Sequence, residues 1–187
     1  VSNRPDVIVT DASPLITLAR AGALDLLLQL KTRIAVPDAV YTEATNPNHA
    51  DGRLIFSWFR KHLGRIYIVP TEIGLSQTFL LTNQHRAKNF GEYAAIEAIE
   101  DFLQQEPEGR VILLYEDMDL ARRYATYDPR LTLITTGTML VELERAGVIA
   151  SARQVLDDSA ATGRNVERLR EEQGNLSLAK ALREDDE

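Results

Sequence analysis

"VTDASPLITLARAG", residues 9–22, is the stretch from which the reading of the whole chain follows. It opens as the end of an apolar strand, "DVIVT" at 6–10, meets a carboxylate at Asp11 and passes at once into a helical pattern. A helix start needs a side-chain acceptor, and Ser13 followed by Pro14 supplies an N-cap and a first helical residue. On that reading Asp11 has no local task, and its partners come from elsewhere in the sequence.

Outward from this stretch, short apolar runs bounded by turn residues predict further strands at 34–36 (IAV), 66–69 (IYIV), 110–115 (RVILLY) and 131–134 (LTLI). Helical patterns separate them. "SPLITLARAGALDLLLQL" follows the first strand, with Gly22 as a point of division, and "PDAVYTEA" is a short helix after the second. "ADGRLIFSWFRKHLG" spaces Leu54, Ile55, Trp58 and Phe59 by threes and fours and stops at Gly64. "GEYAAIEAIEDFLQQE" sets Ala95, Ile96, Ile99, Phe102 and Leu103 on one face; "MDLARRYA" and "TMLVELERAG" complete the series. Strands alternating with helices predict an α/β fold, a mostly parallel central sheet with helices on both faces. Residues 1–150 form that body. Residues 151–187 have sparse apolar positions among many charges and are expected as a charged helical C-terminal extension, docking on the body or on a partner.

Composition narrows the chemistry. There are no cysteines and only three histidines in 187 residues, so disulfides and thiolate sites are excluded and a histidine-rich metal site is disfavoured. No apolar run approaches membrane length and no secretory segment is evident, which makes a cytoplasmic protein the expectation. The net charge of −7 gives no overall field to steer a polyanion.

In open α/β sheets ligands bind beyond the carboxyl ends of the strands, so acidic residues at that edge are the candidates. Asp11 follows the first strand and Asp117, flanked by Glu116 and Asp119, the fourth. Glu43 lies in the helix after the second strand, and Glu92 opens a helix after the Asn89–Gly91 turn. Each has a plain structural explanation: Asp117 as a cap, Glu92 as a favourable first-turn anion, Glu43 as a solvated surface residue. Together they are harder to dismiss. Carboxylates gathered at one edge raise one another's pKa unless a cation neutralises them, and Mg²⁺ or Mn²⁺ suits an all-oxygen donor set. Such ions commonly serve phosphodiester hydrolysis, and they reverse the local sign so that an acidic pocket accepts a polyanion.

Five segments in order, "VIVTDASPLITLARAG", "IAVPDAVYTEA", "GEYAAIEAI", "VILLYEDMDLARRYA" and "LTLITTGTMLVELERAGVI", make residues 6–149 resemble a PIN domain, in the branch of VapC-type toxins of toxin–antitoxin pairs. The resemblance implies a PIN-like α/β nuclease fold and four acidic positions, Asp11, Glu43, Glu92 and Asp117, that bind one or two Mg²⁺ or Mn²⁺ ions and activate water to cut RNA. Asp119 matches an accessory acid. Tyr115 stands where many members have a small hydroxyl residue. A small antitoxin protein and a second copy of the chain are the partners the resemblance implies, and residues 46–90 exceed the corresponding stretch of minimal toxins.

For the RNA itself, the expected phosphate contacts are Arg53, Arg60, Lys61 and Arg65, interleaved with Trp58, Phe59 and His62, with Arg86, Lys88, Arg122 and Arg123 as further candidates. At helical spacing, however, Trp58 and Phe59 are expected in the core rather than as a stacking platform. The alternative to an enzyme is a catalytically silent PIN scaffold that binds nucleic acid or a protein. A phosphoacceptor receiver would need a lysine after "LITTGT", and a phosphatase of the haloacid dehalogenase type would need an aspartate where Ser13 stands.

Overall fold

Alternation along the strands divides their apolar side chains between two faces of one sheet. In β1 (Val7–Thr10), Ile8 faces one layer while Val7 and Val9 face the other. β2 (Arg33–Pro37) separates Ile34 and Val36 from Ala35, and β4 (Val111–Tyr115) separates Ile112 and Leu114 from Val111, Leu113 and Tyr115. Both faces are apolar, the condition of a parallel sheet covered on each side. With β3 (Ile66–Val69) and β5 (Leu131–Thr135) the sheet runs β3-β2-β1-β4-β5, and every pairing is parallel. The computed structural model from which this is read describes residues 6–82, 89–124 and 127–174, without the side chains of Thr82, Asp119, Leu120 and Arg123. All five expected strands are present, and the fold is the expected α/β one.

Parallel neighbours need crossovers, and the helices supply them. On one face pack α1 (Ala12–Arg20), α2 (Leu26–Gln29), α4 (Ala50–Lys61) and α8 (Thr136–Arg145), with Leu15, Leu18, Leu27, Ile55, Phe59 and Leu140 fully or almost fully buried. α3 (Asp38–Ala44) follows β2 directly, with the last residue of that strand, Pro37, at its N-cap position. On the other face lie α6 (Phe90–Gln105), which buries Ala95, Ile96, Ile99 and Leu103, and α7 (Met118–Tyr124), which buries Ala121. Trp58 and Phe59 are core residues. Trp58 also donates its indole N–H to Asp25 at 2.8 Å, so neither ring is available to stack on a base. Leu54, counted with that apolar face in the sequence, is instead 55 % exposed.

Two local expectations change. α1 starts at Ala12, so the N-cap position belongs to Asp11 and not to Ser13; Pro14 sits within the first turn, where its missing N–H has no intrahelical partner to lose. Asp11 nevertheless makes no side-chain capping hydrogen bond. α5 (Glu72–Thr82) was not expected at all. It is preceded by Thr71, whose hydroxyl accepts from the Gly74 amide at 2.8 Å and donates to Asp38 at 2.7 Å, while Glu97 of α6 accepts from the amides of Glu72 and Ile73.

Beyond residue 150 the chain continues into the same core. α9 (Ala152–Ala161) packs on α1 and α8, and Leu156, Val166 and Leu169 are buried with Leu15 and Leu140. A further helix covers 167–174. Leu156 is fully enclosed, so Leu156→Ala should destabilise the protein by about 2–5 kcal/mol in a urea titration. A change below about 0.5 kcal/mol would mean that α9 is only lightly attached. No described helix is long and apolar enough to cross a membrane.

Candidate active site

The strand order determines where the acids meet. From β1 the chain winds outward through β2 to β3, then returns to build β4 and β5 on the other side, so the crevice of an open sheet falls between the carboxyl ends of β1 and β4. Asp11 follows β1 and Asp117 follows β4, one on each side of that crevice. Glu43 is in the last turn of α3, directly after β2. Glu92 is in the first turn of α6, which crosses β1 and β2 and packs along α3. The four side chains, with Ser13 and Asn89, line one cleft of about 160 Å³. Asn89 is held at φ +60, a left-handed conformation that asparagine tolerates better than most residues, and it turns the chain into α6 beside the acids.

Gly91 shows how closely α6 approaches. A methyl group there would stand 2.9 Å from Glu43 Oε2, 3.4 Å from Val40 and 3.8 Å from Asp11 Oδ1. The backbone of α6 thus forms a wall against which two of the acids lie. Burial raises the pKa of Asp11 first, the charges of Glu43 and Glu116 add to it, and the amides of Ala12 and Ser13 oppose it, leaving the group at about 6 rather than 3.8. Burial also raises Glu43. The donors are all hard oxygens, and the ionised form of Asp11, which burial disfavours, is one that a cation would stabilise, so the residues fit a divalent ion. Among the described residues no three of these groups stand at the spacing of a formed metal centre, so closing on one ion requires side-chain rotation. The side chain of Asp119, the fifth expected ligand, lies outside the described residues.

Behind the cleft is an arrangement that sequence reasoning missed. Glu116, whose side chain is 9 % exposed, accepts from the hydroxyls of Thr17 in α1 (3.1 Å) and Thr136 in α8 (2.7 Å) and from Arg164 Nη2 (2.9 Å). Arg164 Nε also donates to Thr17 Oγ1 at 3.0 Å. Arg164 stands 48 residues from Glu116 with no pattern linking them, and only the packing of α9 against α1 brings them together. The structure also disperses the expected RNA contacts. α4 runs back toward the start of β3, so Arg60, Lys61 and Arg65 lie at the amino edge of the sheet, the end opposite the cleft. Arg65 donates there to the Leu28 carbonyl at 3.3 Å, and Arg60 lies over the Phe56 ring. Arg53, in the first turn of α4, donates to the Pro47 carbonyl at 2.7 Å. Arg122 is exposed on α7, next in chain order to the acids; the side chain of Arg123, and residues Arg86 and Lys88, lie outside the described residues.

A parallel α/β sheet with four carboxylates around its switch point defines a small acid-cleft protein of the doubly wound class. The DUF3368 family model, described as a PIN domain, matches residues 7–172, and the chain belongs to the PIN-domain family. PIN domains are generally nucleases, and the match covers the cleft and continues through α9 into the 167–174 helix. Comparison with curated proteins and with solved structures gave no match.

Proposed function

We propose that this chain is a metal-dependent endoribonuclease, the toxin of a toxin–antitoxin pair. The observation that carries the nuclease part is the single cleft shared by Asp11, Glu43, Glu92 and Asp117, which four different elements of a PIN fold bring to one edge. These side chains would hold one or two Mg²⁺ or Mn²⁺ ions, and the family resemblance adds Asp119 as an accessory acid. When bound, such an ion supplies Lewis-acid polarisation of the phosphate and a nucleophile at neutral pH. Asp11 and Asp117 would hold the ion from the β1 and β4 sides of the crevice and Glu43 and Glu92 from the α3–α6 side, while Ser13 and Asn89 would offer neutral hydrogen bonds to the phosphate. The toxin role, a small antitoxin partner and a homodimer rest on the resemblance to VapC-type sequences.

The test is cleavage of single-stranded RNA by the purified chain with Mg²⁺ or Mn²⁺, with and without chelator. Products should carry a 5′-phosphate and a 3′-hydroxyl, and chelation should stop the reaction. Absence of cleavage together with absence of Mn²⁺ binding in calorimetry would favour the silent scaffold. A finer prediction follows from Gly91. Gly91→Ala would push Glu43 aside at the flexible end of its side chain, so stability should change by less than about 1 kcal/mol while Mn²⁺ binds about 10–100-fold more weakly. Unaltered Mn²⁺ affinity would show that Glu43 is not a ligand.

A further inference from the structure

Beside the acid cleft, and sharing Ser13 and Asp117 with it, opens a wider pocket of about 470 Å³. Its far wall is the segment after α9: Arg164, Asn165, Val166, Arg168 and Leu169. This segment is firmly held. Val166 and Leu169 are buried in the core, and the 167–174 helix approaches α8 so closely that a methyl group on Gly137 would stand 3.0 Å from the Leu169 carbonyl oxygen. Glu172 of the same helix accepts from Thr135 Oγ1 at 2.7 Å.

The two arginines of that wall differ in their commitments. Arg164 is taken up by Glu116 and Thr17. Arg168 is half-buried and makes no hydrogen bond or ion pair among the described residues. Its charge is felt at the buried Tyr115 hydroxyl, where Glu172 acts in the opposite sense. A guanidinium carries five N–H donors in a planar fork suited to phosphate, and a partly desolvated one with no acceptor is a site for an anion. Among the described residues, the acidic side chains that line the near wall, Glu116 and Asp117, are committed elsewhere: Glu116 is held by Arg164, and Asp117 also lines the acid cleft.

We propose that Arg168 anchors a phosphate of the single-stranded RNA next to the one seated in the acid cleft, so that the pocket between the post-α9 segment and Asp117 is the substrate channel. This rests on the nuclease reading for the position of the scissile phosphate. It also explains how an acidic chain places positive charge on its substrate: the charge is local and comes from the segment beyond residue 150.

The experiment measures fluorescence anisotropy of a labelled single-stranded RNA dodecamer in Mg²⁺, on the Asp11→Asn background so that the probe is not cut, over a series of KCl concentrations. Adding Arg168→Ala should weaken binding at least about fivefold and reduce the slope of log K against log salt by about 0.7, the value for one phosphate contact on a single strand. Arg168→Glu should weaken it further, and Arg168→Lys should recover most of the slope. Arg145→Ala, an equal loss of charge at the end of α8 away from the pocket, should change neither quantity. Thermal melts of each variant report whether the fold is retained. An unchanged slope in folded Arg168→Ala, an equal loss in Arg145→Ala, or no measurable RNA binding by the parent would each overturn the assignment. Failure of the nuclease reading shows separately, as wild-type protein that leaves RNA intact in Mg²⁺ or Mn²⁺.

Discussion

Asp11→Asn is expected to give a protein that no longer cuts RNA yet is more stable than its parent near neutral pH in the presence of chelator. The carboxyl group of Asp11 sits at about 6 in the folded chain against 3.8 unfolded, chiefly because burial disfavours its charge. The folded state therefore holds the proton more tightly than the unfolded state. The associated stability is fully present below pH 4 and is lost as pH rises through about 6. The rise corresponds to about 3 kcal/mol at most, and the burial of Glu43 adds to it with the same sign. Asparagine keeps the shape while removing the charge, so it should gain about 1–2 kcal/mol at pH 7.5 and flatten the pH profile between 4 and 7.

On the proposed function cleavage should fall at least about a thousandfold, since several kcal/mol of transition-state stabilisation would depend on a divalent ion that this acid helps to hold. Melts at several pH values with chelator, and single-turnover cleavage with Mn²⁺, measure the two effects. A variant less stable than the parent at pH 7.5 would show that the Asp11 charge is compensated within the fold. A variant that still cuts at the parental rate would remove Asp11 from the chemistry.

The second large effect concerns Arg164. Arg164→Ala should destabilise the fold by about 3–5 kcal/mol, because it leaves the enclosed Glu116 carboxylate with two threonine hydroxyls and no counter-charge. The loss should be smaller when Glu116→Gln is introduced as well, since the uncompensated charge then disappears, with a coupling of about 0.5–3 kcal/mol between the two positions. Urea denaturation of the two single variants and the double variant closes the cycle. Arg164→Ala within about 1 kcal/mol of the parent would mean that solvent, which reaches a quarter of the Arg164 side chain, compensates Glu116 without help. The same pair ties the post-α9 segment to α1 and α8, so its loss should also loosen the wall that carries Arg168.

Much of this was legible in the sequence, and the reason is local. A strand buried on both faces must be apolar along its length, so "DVIVT", "IAV", "IYIV", "RVILLY" and "LTLI" announce themselves, and the acids that follow β1 and β4 are identifiable because the strand ends are. α6 was equally plain, since Ala95, Ile96, Ile99 and Leu103 repeat at the helical period. α5 was hidden because its pattern is inverted: it buries Gly74 and Gln77 while Leu75 and Phe79 are each 69 % exposed. The one local signal that could have revealed it is the Thr71 cap.

What the chain alone determined is which residues form strands, which form most helices, and which carboxylates lie at strand ends, because those depend on neighbours a few residues apart. That Asp11, Glu43, Glu92 and Asp117 share one cleft was decided by the strand order β3-β2-β1-β4-β5, a choice among long-range pairings that no local pattern encodes. The same holds for the basic residues. Arg60, Lys61 and Arg65 looked suited to RNA by composition, but the direction of α4 carries them to the far edge, whereas α9 brings Arg164 and Arg168 to the acids from beyond residue 150. Charge and residue type belong to the sequence, while the distance over which charge acts belongs to the fold.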